Sequence, residues 1–107
     1  MIKTFSKPKD VIEFIKECVE ENNTEKLYSE TLEETSAFWK EKIFNDFKDL
    51  NRDNLLEEVF LSTKQKCFSL LLNHVSLGGC DDKNKHLNID LEKQKGHWVI
   101  KKVWKCR

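Results

Sequence analysis

The sequence predicts an α+β domain in which N-terminal helices pack on a curved antiparallel sheet of three to four strands. Three observations carry that reading. Apolar residues recur at helical spacing between Val11 and Val19 and again between Trp39 and Leu50. From His86 to Glu92, Leu87, Ile89 and Leu91 alternate strictly with polar residues, as in a strand with one wet face. A second β-rich run, His97 to Cys106, follows directly after Lys93-Gln94-Lys95-Gly96, which reads as a hairpin loop. The 107 residues are 38% hydrophobic and 36% charged with one proline and three glycines, so residues 1–107 are expected to form a single domain with a core.

The elements follow in order. Ser6-Lys7-Pro8 opens the first helix, since proline tolerates the first turn, and Val11, Ile12, Ile15, Cys18 and Val19 form its buried stripe, widened by Phe14. Asn22-Asn23-Thr24 breaks that pattern and offers a new cap. A short second helix is expected over residues 25–29, burying Leu27 and Tyr28. Thr31-Leu32-Glu33-Glu34 fits a capping box, so a long third helix is expected from there to about Leu50. Its buried stripe would be Leu32, Trp39, Ile43, Phe47 and Leu50, flanked by Phe38 and Phe44. After the polar break Asn51-Arg52-Asp53-Asn54 the period is ambiguous, and a strand beginning near Glu57 is favoured over a last helical turn. Lys66 to Ser76 reads as a strand covered on both faces and ending at Leu77-Gly78-Gly79. In the last strand Trp98, Ile100 and Trp104 share one parity while Val99 and Val103 share the other. Either both faces are covered or a bulge shifts the register near Lys101-Lys102.

This order of elements resembles the cystatin-like, nuclear transport factor two-like superfamily of small cone-shaped domains. The resemblance lies in the Pro-opened first helix, the step Asn22-Asn23-Thr24-Glu25-Lys26-Leu27-Tyr28 into a short helix, and the terminal run from Gly96 to Trp104. It implies a domain type that hosts isomerases and cyclases with a catalytic Asp or His in the cone, binding and dimerisation modules, secreted domains, and immunity proteins that neutralise toxins. The chain is shorter than that pattern and has no strand between its second and third helices, which argues against an enclosed catalytic cone. An exposed sheet in such a domain also implies a homodimer through the sheet.

Net charge is zero, but residues 1–60 carry 9 basic and 15 acidic side chains and residues 61–107 carry 10 and 4. Only Arg52 and Arg107 are arginine, which argues against bidentate reading of phosphates or bases. Lys64, Lys66, Lys101, Lys102, Lys105 and Arg107 fit a basic sheet edge. Few aromatics interleave with them and exposed lysines also blunt strand edges, so nucleic acid is not the expected partner. The acidic helical half reads as a solvated face or as a surface for a basic partner. No run approaches the roughly 20 apolar residues of a membrane span. The first residues lack an apolar signal core, which fits either a cytosolic protein or a mature end after cleavage.

The four cysteines have no CxxC spacing. Reversal of successive strands brings Cys80 and Cys106 to one end of the sheet, where they form a disulfide or stay free thiols in a reducing cytosol. Cys18 and Cys67 read as small core residues. The same end is expected to gather His74, Cys80, Asp81, Asp82 and His86, chemically able to ligate metal but matching no motif, and no metal or cofactor is expected. Gly78-Gly79 lacks the context of a phosphate cradle and reads as a turn. His74 and, less so, Asp90 are the candidates for acid–base chemistry in an enzymatic reading. The favoured function is a non-enzymatic binding domain for a protein or small-molecule ligand, secreted or envelope-associated. Trp98, Ile100 and Trp104 would line or support its surface, with Lys101, Lys102 and Lys105 beside them. The alternatives are a cytosolic immunity-type inhibitor and a small enzyme using His74.

Overall fold

The computed structural model describes residues 2–61 and 73–106. Among the described residues four α-helices, α1 (Pro8–Glu20), α2 (Thr24–Tyr28), α3 (Ala37–Arg52) and α4 (Leu56–Phe60), precede the strands β1 (His74–Gly78), β2 (Leu87–Gln94) and β3 (His97–Lys105). The strands form an antiparallel sheet in the order β1-β2-β3, with the helices on one face, as an α+β fold requires.

α1 begins at Pro8 and buries the whole expected stripe, from Val11 to Val19. The Asn23 side chain accepts a hydrogen bond from the Lys26 backbone N–H at 3.1 Å and so caps α2. The Lys26 ammonium then joins Glu17 and Glu21, each at 3.1 Å, tying α2 back to α1. Both carboxylates hold that ammonium in its charged form, Glu21 foremost.

The third helix starts later than the capping box suggests. Residues 31–33 instead run beside β3, where the Leu32 and Glu33 N–H groups donate to the carbonyls of Ile100 and Lys101 at 2.9 and 2.8 Å. The exposed edge of β3 has backbone acceptors to satisfy, and it takes the donors that a longer helix would have left unpaired at its first turn. Thr31 turns its hydroxyl to the Leu27 carbonyl, and Thr35 reaches the Val103 carbonyl at 2.9 Å. Leu32 is therefore 41% exposed rather than buried, and Phe38, at the new helix start, is 64% exposed. Further along the same edge, Phe5 and Trp98 exchange two backbone hydrogen bonds.

The segment from Leu56 is a helix, not the strand expected near Glu57. Leu56, Val59 and Phe60 fall at i, i+3 and i+4 and are all buried, while Glu57 and Glu58 occupy the first turn, where the helix dipole favours negative charge. Of the strand expected over residues 66–76, residues 73–76 are described; His74 to Ser76 belong to β1, which continues to Gly78 and has one covered face rather than two. Gly78 has φ +103°, and a Cβ there would collide with the Leu87 carbonyl oxygen.

β2 and β3 meet through a two-residue turn, Lys95-Gly96, with φ positive at both, as the twist of a tight hairpin demands. Of the two alternatives that the parity of the sequence left open, the structure has the bulge, near Lys101-Lys102. Asp90 faces Lys102 but Leu91 faces Ile100, so Lys101 is the extra residue of a bulge. Val75, Leu77, Leu87, Ile89, Leu91, Trp98, Ile100 and Val103 consequently form one continuous apolar face against the helices. Phe47 and Phe60 meet above it with ring centroids 5.8 Å apart.

Candidate binding surface

The bulge that completes the core also decides the outer face of the sheet. It moves Trp104 to the side opposite Trp98 and Ile100, which are 4% and 0% exposed and support the sheet from within. Of the three residues expected at the ligand surface, Trp104 alone is partly exposed. Its indole N–H donates to one Asp90 carboxylate oxygen at 2.9 Å, and the Ser76 hydroxyl donates to the other at 2.7 Å. One residue from each strand thus fixes the ring, and two charge-assisted bonds hold the carboxylate that anchors it.

Open recesses lie on either side of this ring. One, of about 250 Å³, is lined by His74, Ser76, Asp90, Lys101 and Trp104. The other, of about 320 Å³, lies between β3 and the start of α3 and is lined by Trp39 and Trp104 with Glu34, Thr35 and Lys102. Phe38 stands edge-on to Trp39 at 5.2 Å, and the Lys42 ammonium lies 4.4 Å over the Phe38 ring. A larger groove of about 630 Å³ beside α1 and α4 is walled by Lys9, Lys16, Glu13, Glu57 and Glu58, mixed charges without converging chemistry.

The three lysines of β3 differ in role. Lys105 pairs with Asp46 of α3 at 2.5 Å in a half-buried bridge, and Lys101 lies 3.9 Å from Glu33. Lys102 has no carboxylate partner among the described residues. The basic edge is therefore largely neutralised where it is described; Lys64, Lys66 and Arg107 lie outside the described residues, as does Cys67.

The expected cluster of His74, Cys80, Asp81, Asp82 and His86 does not come together. His74 opens β1 opposite Glu92, about 13 Å of strand away from Gly78 and the cysteine that follows it. Cys80 is joined to Cys106 in a disulfide with a Cα separation of 5.5 Å. Asp81 accepts from the Lys83 N–H in the 3₁₀ turn Asp82–Asn84, and Asp82 takes the His86 ring nitrogen at 2.9 Å. Among the described residues no three His, Cys, Asp or Glu side chains gather as metal ligands would. Nor is any described helix long and apolar enough to cross a membrane.

Among the described residues, Cys18 and Tyr28 titrate far above their ordinary range, and neither lines the recesses beside Trp104. Burial pushes the Cys18 thiol up to about 11, and burial pushes the Tyr28 phenol upward as its O–H donates to the Lys40 carbonyl. The Ser76–Asp90–Trp104 arrangement escapes sequence reasoning because it joins three strands. Its one legible sign was the wet-face parity of Asp90. No family profile, curated protein or solved structure matches this chain.

Proposed function

We propose that this protein is a non-enzymatic binding domain whose partner docks over Trp104. The observation that carries the reading is a partly exposed indole, pinned by Asp90 and Ser76, that walls two open recesses at once. Partly exposed aromatic rings held rigid before contact lose little freedom on binding and dominate the energetics of protein interfaces. Trp39 lines the same groove with Phe38 packed edge-on against it, and Lys102 supplies there a cation that has no carboxylate partner among the described residues. A binding role is further supported by His74, the residue an enzymatic reading would use. It stands exposed on the open face with no hydrogen-bonded carboxylate to orient it among the described residues. The Cys80–Cys106 disulfide favours an oxidising compartment, in keeping with a secreted or envelope-associated domain on a cystatin-like scaffold.

The test is selection of displayed random dodecapeptides on the immobilised protein, followed by affinity measurement on variants. Selected peptides should lose about 30-fold or more on Trp104→Ala, the range of interface hot spots. They should bind Glu20→Ala, an exposed change on α1, as tightly as the unaltered protein. Peptides indifferent to Trp104→Ala, or no enrichment at all, would overturn the proposal. Sedimentation at rising protein concentration identifies the case in which the occupant is a second copy seated sheet to sheet, and Trp104→Ala should then yield a monomer.

A further inference from the structure

We infer that the Cys80–Cys106 disulfide is a reaction site for low-molecular-weight thiols, attacked at the Cys80 sulfur with Cys106 as the leaving group. The two sulfurs sit in unlike surroundings. Cys80 is exposed, directly after Gly78-Gly79. Cys106 is half-buried at the end of β3, where its N–H donates to the His86 carbonyl at 2.9 Å. The side-chain amide of Asn88, itself 4% exposed, donates to the Cys106 sulfur at 3.2 Å and to the His86 carbonyl at 3.2 Å. A neutral disulfide sulfur accepts such a bond weakly, but a thiolate accepts it strongly. On the other side, Asp81 and Asp82 follow Cys80 directly and oppose negative charge there.

Exchange rate depends on which sulfur is accessible and on how well the departing thiolate is stabilised, and here both favour attack at Cys80, against the repulsion that Asp81 and Asp82 offer an incoming thiolate. In the first step the sulfur lone pair of an external thiolate forms a bond to the Cys80 sulfur. The Cys80–Cys106 bond breaks, and its electron pair leaves on the Cys106 sulfur beside the Asn88 N–H. A second thiolate then attacks the mixed disulfide and releases Cys80 as a thiolate, so two thiols are oxidised to one disulfide while the protein disulfide is reduced. The product loses the covalent tie between the β1–β2 connection and the end of β3, two residues from Trp104, while the backbone bond from Cys106 to His86 remains available.

The experiment is brief treatment of the native protein with excess glutathione, alkylation of the liberated thiol, and peptide mapping. Glutathione should be found on Cys80 with the alkyl group on Cys106, about fivefold or more over the reverse. The same treatment in concentrated guanidinium is the reference, and the excess should shrink there because the Asn88 contact is gone. Asn88→Ala should slow native exchange and reduce the excess. If that variant fails to fold, the native-to-denatured comparison of the unaltered protein decides alone. Equal labelling of the two cysteines in the native state, preference for Cys106, or exchange no faster than global unfolding would overturn the inference.

Discussion

Replacing the disulfide, as Cys80→Ser with Cys106→Ala, removes a single cross-link and little packing, because Cys80 is exposed and Cys106 only half-buried. The cross-link spans a sequence separation of 26 residues, so closing that loop in the unfolded chain is worth about 3.5 kcal/mol at 25 °C on the chain-entropy account. For 107 residues the unfolding entropy near the midpoint is about 0.22 kcal/mol/K, so the melting temperature should drop by roughly 15 °C. The assay is urea unfolding of the variant and the oxidised parent by far-ultraviolet circular dichroism, with calorimetry for the midpoint. The variant should also unfold with a steeper denaturant dependence, since its unfolded ensemble is more expanded and exposes more surface. The backbone bond from Cys106 to His86 and the β2–β3 register remain, so the spectrum of the folded variant should match the parent. A loss below about 1 kcal/mol with the two spectra identical would refute the loop-entropy argument.

Gly78→Ala should cost roughly 2–4 kcal/mol, because φ is +103° and the new methyl meets the Leu87 carbonyl, a backbone atom that cannot rotate away; urea midpoints measure it. Asp46→Asn leaves the half-buried Lys105 ammonium without its carboxylate and should cost roughly 1–2 kcal/mol, with a double-mutant cycle to Lys105→Met isolating the pair. The Cys18 thiol, ordinarily near 9.0, is raised to about 11 in the fold, so the native state keeps a proton that the unfolded chain releases. On this account stability should be flat below pH 9 and fall from pH 9 toward 11 by up to about 1.4 kcal/mol per unit; Cys18→Val should remove the fall between pH 9 and 10, below the range in which the Tyr28 phenol adds its own, and an unchanged slope there would refute the assignment.

Much of the architecture is written in local pattern. The stripe from Val11 to Val19, the Asn23 cap, the alternation of Leu87, Ile89 and Leu91, and the Lys95-Gly96 turn each need only a few neighbouring residues to specify them. Even the bulge is foreshadowed, because Trp98, Ile100 and Val103 can share one face only if a residue is inserted between them. What failed were the places where two local solutions compete and a distant partner chooses. Thr31-x-x-Glu34 is a sound helix start in isolation, yet the open edge of β3 takes those backbone donors. Leu55 to Leu61 suits strand or helix by composition, and burial of Leu56, Val59 and Phe60 on one stripe decides for helix.

The α+β class, the N-terminal helices, the final hairpin, and the convergence of strand ends that places Cys80 near Cys106 are thus all legible in the linear chain. These follow from periodicity and from the reversal of antiparallel strands, both short-range properties. Which tryptophan meets solvent, its anchoring by Ser76 and Asp90, and the pairing of Lys105 with Asp46 emerge once the elements pack together. Those contacts join residues 14, 14 and 59 positions apart, and no local preference encodes which of several polar side chains will share one pleat once the register is set.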